Sequence, residues 1–269
     1  MLIIGVAVGA LIGLSLGALG GGGSILTVPA LVYLLGQSPR SATTGSLLIV
    51  GITALAGTVS HYLAGRVRLG PGVTFGLLGV AGSYVGTRLS SGVSPNVLLT
   101  AFAGLMVVAA VAMHRRRGTA AVPVVPDGEA DRAGGVTATL RATRTGSLLR
   151  IVAAASGVGL LTGFFGVGGG FVIVPALVLA LGFTMPVAVG TSLLVIAINS
   201  AAALAVRLGG HTHLDWSLLA VFTVAAIAGS VLGNRVASRV NPAVLSRAFT
   251  ALLVVIALYT AIRSVPHLL

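Results

Sequence analysis

Apolar positions along this chain gather into long runs with little two-residue alternation. Several approach or exceed the ~20 residues that an α-helix needs to cross a ~30 Å hydrocarbon layer, a pattern of spanning helices and not of a barrel. The first run, residues 2–35, would make roughly 50 Å of helix, too long for one crossing. It is interrupted by Gly20-Gly-Gly-Gly23. The pattern therefore predicts a helix over 2–18, a glycine break, and a short helix over 24–35 that ends at the polar Gln37-Ser-Pro-Arg40. Further helices are expected over 42–64, over 71–88, and from Val93-Ser-Pro95 to Met113, with Arg66 and Arg68 in a short loop between the first two.

The pattern then repeats. Gly17-Ala-Leu-Gly-Gly-Gly-Gly-Ser-Ile-Leu-Thr-Val-Pro29-Ala-Leu-Val32 returns as Gly163-Phe-Phe-Gly-Val-Gly-Gly-Gly-Phe-Val-Ile-Val-Pro175-Ala-Leu-Val178, an offset of 146. Thr44-Gly-Ser-Leu-Leu48 is answered by Gly190-Thr-Ser-Leu-Leu194. Ala81-Gly-Ser-Tyr-Val-Gly-Thr-Arg88 is answered by Ala228-Gly-Ser-Val-Leu-Gly-Asn-Arg235. The chain is thus an internal duplication: a first transmembrane repeat over 1–113, a hydrophilic linker over 114–148, and a second repeat over 149–269.

Five segments per half would make the repeats inverted, with Arg66, Arg68, the linker, Arg235 and Arg239 on one side and Arg40, Arg88, Arg207 and Arg263 opposite. Four crossings per half would make them parallel, and arginine bias barely separates the two. Broken helices and inverted repeats recur together in transporters, which favours inversion. The fold class expected is an all-α integral membrane protein, a polytopic helical bundle of two homologous repeats.

Composition agrees with the runs. Of 269 residues, 56% are hydrophobic and only 7% charged, too few to cover a water-facing surface. The net charge of +12 lies in arginines between the apolar runs, where it sets orientation by the positive-inside rule and does not point to nucleic acid. The linker holds His114-Arg-Arg-Arg117 and three of the four acids, Asp127, Glu129 and Asp131, and its arginine excess places it in the cytoplasm. With no cysteine, disulfides and thiolate chemistry are excluded. Met1-Leu-Ile-Ile lacks a charged leader and reads as the start of a first helix.

The repeated glycine motifs with Pro29 and Pro175, the Gly190-Thr-Ser element and the small-residue helices ending at Arg88 and Arg235 together resemble the sulfite exporter TauE/SafE family of membrane permeases. The likeness extends over both repeats. It implies a duplicated helical permease of about eight spans in a prokaryotic plasma membrane, exporting sulfite, organosulfonates or other small sulfur-containing or carboxylate anions.

The residues themselves give a compatible chemistry. A helix restarting at Ser24 or Gly170 points unpaired N–H groups and a positive dipole end toward the break, and bare glycine backbone lets an anion approach. The expected substrate-binding set is Gly20, Gly21, Gly22, Gly23 and Ser24 with Gly166, Gly168, Gly169 and Gly170. Thr43, Thr44 and Ser46, with Thr191 and Ser192, offer hydroxyl donors to complete it, or serve as N-caps. Asn199 is either an interhelical hydrogen bond or a substrate contact. The competing reading of the glycines is close helix packing.

His61, late in its helix, reads as an interfacial anchor rather than a proton relay, and Arg88 and Arg235 either attract anions at the mouths or snorkel to headgroups, with snorkelling favoured. His211-Thr-His213 with Asp215 reads as a polar loop, not a metal site, and no cofactor or enzymatic constellation is present. No acid lies in any expected helix, which disfavours carboxylate-based ion coupling and favours outward flow of an anion down the inside-negative potential. The expected partners are a small anion and the lipid bilayer, and tight helix packing is compatible with a homodimer. The rival functions are an anion channel, and a non-transporting membrane scaffold.

Overall fold

The computed structural model describes residues 2–90, 95–115, 152–162, 164, 170–207 and 214–264. Among these residues the architecture is wholly helical: α1 (Leu2–Leu19), α2 (Gly22–Pro29) continued by a π-helical turn (Ala30–Leu34), α3 (Pro39–Leu63), α4 (Leu69–Ser90), α5 (Pro95–Arg115), α6 (Val152–Thr162), α7 (Gly170–Leu181), α8 (Met185–Arg207), α9 (Trp216–Arg239) and α10 (Pro242–Ser264). Within α3, α4, α8 and α9, stretches of 18 to 24 residues are apolar enough to cross a membrane. Large apolar side chains such as Leu11, Leu55, Leu77, Val108, Val224 and Val255 are exposed around the bundle, as a lipid-facing surface requires.

The boundaries have local causes. Ser38 caps α3, its Oγ accepting from Ser41 N at 3.2 Å, and Pro39 sits at the first position, where its missing N–H costs nothing. Helix α3 therefore starts before the expected residue 42. Thr43, Thr44 and Ser46 lie in its opening turns and not at its cap, which removes the capping role. Asp215, considered with His211 and His213, caps α9 by accepting from Leu218 N at 3.1 Å; the two histidines lie outside the described residues. Pro29 cannot donate to the helix ladder, and the π turn follows directly after it. Pro175 sits inside α7.

Helix α1 ends at the break and α2 comes back along it. A methyl at Gly23 would lie 2.6 Å from Ile12 O, and Leu35, just past the π turn, approaches Gly5 near the start of α1. The hairpin thus enters and leaves on one side. Helix α3 then crosses to the side of Arg66, and α4 returns.

Each repeat lends its first helix to the other. Helix α1 lies along α9, where methyls at Gly9, Gly13 and Gly17 would run into the carbonyls of Phe222, Ala226 and Ser230. On the facing surface, Gly229 and Gly233 meet the carbonyls of Ala10 and Leu14. Helix α6 lies along α4 by the same contacts moved one repeat along: Gly82 meets Ser156 O, Gly86 meets Leu160 O, and Gly159 meets Gly79 O. Small residues at four-residue spacing let these backbones touch. Helices α3 and α8, α5 and α10, and α2 and α7 pair with their own counterparts.

The α3–α8 pairing decides the relation between the halves. Gly51 faces Ser200, Gly57 faces Leu193, and Gly190 faces His61, so the equivalent helices run antiparallel. Equivalent helices in parallel repeats would run the same way. The repeats are inverted about an axis in the membrane plane, as broken-helix transporters are.

Candidate functional site

The pseudo-two-fold axis passes between the breaks. Gly20 holds a left-handed conformation (φ +73°), open to glycine without strain, which turns the chain out of α1 and into α2. Gly21 then meets the other hairpin backbone to backbone: a methyl there would overlap the carbonyl of Gly170. At Gly170 a methyl would sit 2.5 Å from Ser24 Oγ and 3.0 Å from Gly21 Cα. Ser24 and Gly170 are equivalent residues of the two repeats, so the start of α2 and the start of α7 face one another across the axis.

The start of α2 carries the positive end of a helix dipole, with Ser24 N held by Gly21 O at 3.3 Å; the residues that lead into α7, 165–169, lie outside the described residues. The N-cap of α2, Gly21, supplies no side-chain acceptor. Ser24 is spent on its own turn, donating from Oγ to Gly21 O at 2.7 Å. Among the described residues no acid lies within a helix, so no anionic side chain of these helices faces the start of α2. An anion is the group this arrangement favours.

The other expected residues divide. Ser192 is fully buried and abuts Gly20, a methyl there lying 2.5 Å from its Oγ; that hydroxyl donates to Val189 O at 2.8 Å. Ser46, its counterpart, donates to Thr43 O at 2.9 Å. Thr44 is buried. Thr191 turns to the α3–α4 loop, where its Oγ1 accepts from Arg68 N at 3.1 Å. Gly22 packs on Leu252 of α10 and Gly23 on α1. Gly166, Gly168 and Gly169 lie outside the described residues. Asn199 and its counterpart Thr53 fall midway along α8 and α3, and the Asn199 carboxamide faces α4, its Oδ1 3.5 Å from where a methyl on Gly79 would lie. Asn199 Oδ1 and Thr53 Oγ1 are both buried without a hydrogen-bond partner, a costly arrangement in a stable core.

Sequence reasoning misplaced one residue and missed another. His61 is 1% exposed, not an interfacial anchor, and its Nε2 lies 2.9 Å from the carbonyl oxygen of Gly17 at the end of α1. Ser230 is fully buried with an unpartnered hydroxyl, 2.9 Å from where a methyl on Gly57 would lie. The signal for His61 was present in the glycines around it: a histidine four residues after Gly57 faces the same seam. Arg88 does meet expectation as an exposed end group, donating to Tyr84 Oη at 3.0 Å and lying 5.4 Å from that ring's centroid.

The sequence matches the family model described as "Sulfite exporter TauE/SafE" over residues 5–260. A probable membrane transporter protein of Xylella fastidiosa strain Temecula1 is 33% identical over 270 residues, covering 98% of this chain and 96% of that one. The probable membrane transporter proteins YdhB and YunE of Bacillus subtilis strain 168 are 28% and 27% identical, with 88% and 89% of this chain covered and 91% and 85% of theirs. No solved structure matches. The chain belongs to the sulfite exporter TauE/SafE family and is a membrane transporter.

Proposed function

From that membership we propose that the protein exports a small anion, a sulfur oxyanion such as sulfite or an organosulfonate, across the plasma membrane by alternating access. The anion sits between the starts of α2 and α7. The observation that carries this reading is the meeting of Gly21 with Gly170, which sets the positive end of α2 against the backbone of the other repeat. Glycine backbone there offers N–H donors at a reach that side chains would block, and Asn199 and Thr53, midway along α8 and α3, supply further polar contact. The arginine-rich side with Arg66, Arg68, Arg235, Arg239 and the linker faces the cytoplasm.

The contact also bears on mechanism. Gly21 touches Gly170, so an anion enters only when the two hairpins part toward one side, which suits a carrier better than an open pore. The test is exchange flux in proteoliposomes loaded with sulfite, sulfate, thiosulfate, taurine, sulfoacetate or acetate. Saturable counterflow of a sulfur anion, lost in a folded Gly170→Ala variant, is the expected result. Large unitary currents would replace the carrier with a channel, and no flux of any anion would remove the substrate class.

A further inference from the structure

The arginines on the cytoplasmic side are not placed alike. Arg235 and Arg239, on the last turns of α9, are exposed, as side chains that reach for headgroups are. Arg66, in the α3–α4 loop, is part-buried and turns inward, its guanidinium donating to Asn234 Oδ1 at 3.4 Å. Asn234 is buried and lies five residues before the end of α9 at Arg239, about 7 Å inside that end. The backbone that carries the guanidinium is fixed. Arg66 N donates to His61 O at 3.0 Å, Arg66 O would lie 2.5 Å from a methyl on Gly190, and Arg68 N donates to Thr191 Oγ1 at 3.1 Å.

Among the described residues no carboxylate neutralises this charge. The one acid they include is Asp215, the cap at the opposite end of α9, about 28 Å from Asn234 along the helix. A guanidinium has five N–H donors, and the bond to Asn234 uses one of them. Two parallel N–H groups of the fork can take two oxygens of one oxyanion, as they do with carboxylate and phosphate.

Polar groups continue from Arg66 toward the break. Asn234 Nδ2 donates to Ser60 Oγ at 2.5 Å. One turn further in on α9, Ser230 turns its Oγ to Gly57, three residues before Ser60 on α3. Ser230 is fully buried and its hydroxyl has no partner, a cost that a visiting ligand would remove. Its carbonyl packs on Gly17, in the last turn of α1 before the left-handed Gly20.

We propose that Arg66, held by Asn234, is a loading site where the anion is first captured from the cytoplasm, and that Ser230 lies between this site and the break. This rests on the anion reading above and distinguishes the two mouths of the transporter. Inversion sets the second-repeat counterparts at the outer mouth, and there the sequence changes. The counterpart of the Arg66 loop, 208–213, reads Leu-Gly-Gly-His-Thr-His, while Ser60 and Asn234 are answered by Val206 and Thr87. The anion meets a guanidinium as it enters and no arginine in the corresponding loop as it leaves. The cytoplasmic mouth therefore fills at a lower anion concentration than the outer mouth, as an exporter requires.

The experiment measures uptake of labelled sulfite and of methanesulfonate into inside-out and right-side-out membrane vesicles, with vesicles from cells lacking the protein as blank. Inside-out vesicles present the cytoplasmic mouth to the added anion. Wild-type protein is expected to half-saturate at a lower concentration there than in right-side-out vesicles. Arg66→Gln should raise the cytoplasmic value about tenfold, the worth of one hydrogen bond to a charged group, and the outer value less than threefold. Arg66→Lys, which keeps the charge and loses the fork, should fall between wild type and Arg66→Gln. Arg239→Gln removes an exposed charge from the same side and should behave as wild type. Because an anionic lipid headgroup offers the same oxygens, counterflow is repeated in proteoliposomes of phosphatidylcholine with and without phosphatidylglycerol, and the difference between wild type and Arg66→Gln should persist in both.

Cytoplasmic half-saturation unchanged in Arg66→Gln, or raised as much in Arg239→Gln, would overturn the loading site and leave the anion reading standing. A difference seen only with phosphatidylglycerol would assign the guanidinium to a headgroup and overturn it likewise. Absence of flux for both anions in the wild type would overturn the anion reading and the loading site with it.

Discussion

The seam between α1 and α9 and the seam between α4 and α6 are one structure built twice, whereas the polar residues beside them are not. At the seams the same contacts recur at equivalent positions: Gly82 on Ser156 O matches Gly229 on Ala10 O, and Gly86 on Leu160 O matches Gly233 on Leu14 O. The likeness extends to mixed pairs, since Gly45 against Leu219 is answered by Thr191 against Gly72. At the polar positions the repeats part. His61 corresponds to Arg207, Thr53 to Asn199, Ser60 to Val206 and Asn234 to Thr87. Backbone contact leaves little freedom in the residue that makes it, and Gly82 with Gly229 and Gly86 with Gly233 keep glycine in both copies. A transport site has no need to be symmetric, and its two sides are free to take different chemistry.

The sharpest way to break the scaffold is at the axis. Gly21→Ala puts a methyl onto the carbonyl of Gly170, and backbone cannot step aside as a side-chain end does. The expected loss is more than ~4 kcal/mol, the range reserved for severe overlap, seen as failure to recover monodisperse protein in detergent. One step down are the paired seams. Gly233→Ala and Gly86→Ala each direct a methyl into a facing carbonyl and should each cost about 2–3 kcal/mol, as overpacked cores do. Gly104→Ala and Gly157→Ala meet nothing within 4 Å and should be neutral or stabilising by up to ~1 kcal/mol. Thermal denaturation in micelles ranks them. Unequal losses at Gly233 and Gly86 would deny that the two seams are equivalent.

The scaffold was largely legible in the sequence and the site was only partly so. Duplication, helix number, the break at Gly20–Gly23 and the small-residue helices follow from periodicity and from glycine, which act locally. Inversion could not be read from charge because the arginines divide almost evenly under either topology; it needed the antiparallel contact of α3 with α8. That α1 packs on the other repeat is likewise a long-range fact. His61 was misplaced for a related reason. Position within a helix suggested an interfacial end, but α1 stops short at its break and leaves a carbonyl to be met there. The roles of Gly22 and Gly23 differ from that of Gly21 only through which helix each faces, and four like letters in a row carry no such distinction.

On the polar side, the largest effect is expected midway along α3 and α8. Asn199→Leu and Thr53→Val remove groups that have no protein partner, so neither should destabilise by more than ~1 kcal/mol. If Asn199 meets the anion, the apparent affinity in counterflow should weaken by about tenfold, the worth of one hydrogen bond to a charged group. Thr53→Val should weaken it less, a hydroxyl offering a single donor where the amide offers two. Equal, unchanged affinities in both variants would assign this pair to packing and confine the anion to the helix ends.

The smallest effect tests whether asymmetry matters outside the site. Asn234→Thr gives α9 the residue that α4 carries at the equivalent position, Thr87. Asn234 donates from Nδ2 to Ser60 Oγ at 2.5 Å and accepts from Arg66 at 3.4 Å, holding the start of the α3–α4 loop against α9. Threonine is too short to keep both bonds. Side-chain hydrogen bonds between membrane helices contribute about 0.6 kcal/mol on average, and the bond to Arg66 is long, so the expected loss is about 1 kcal/mol in thermal stability. Arg66 is also the charge beside His61, and its backbone N–H is bonded to His61 O at 3.0 Å. A stability loss with unchanged anion counterflow would mean that Asn234 only fastens the loop to α9.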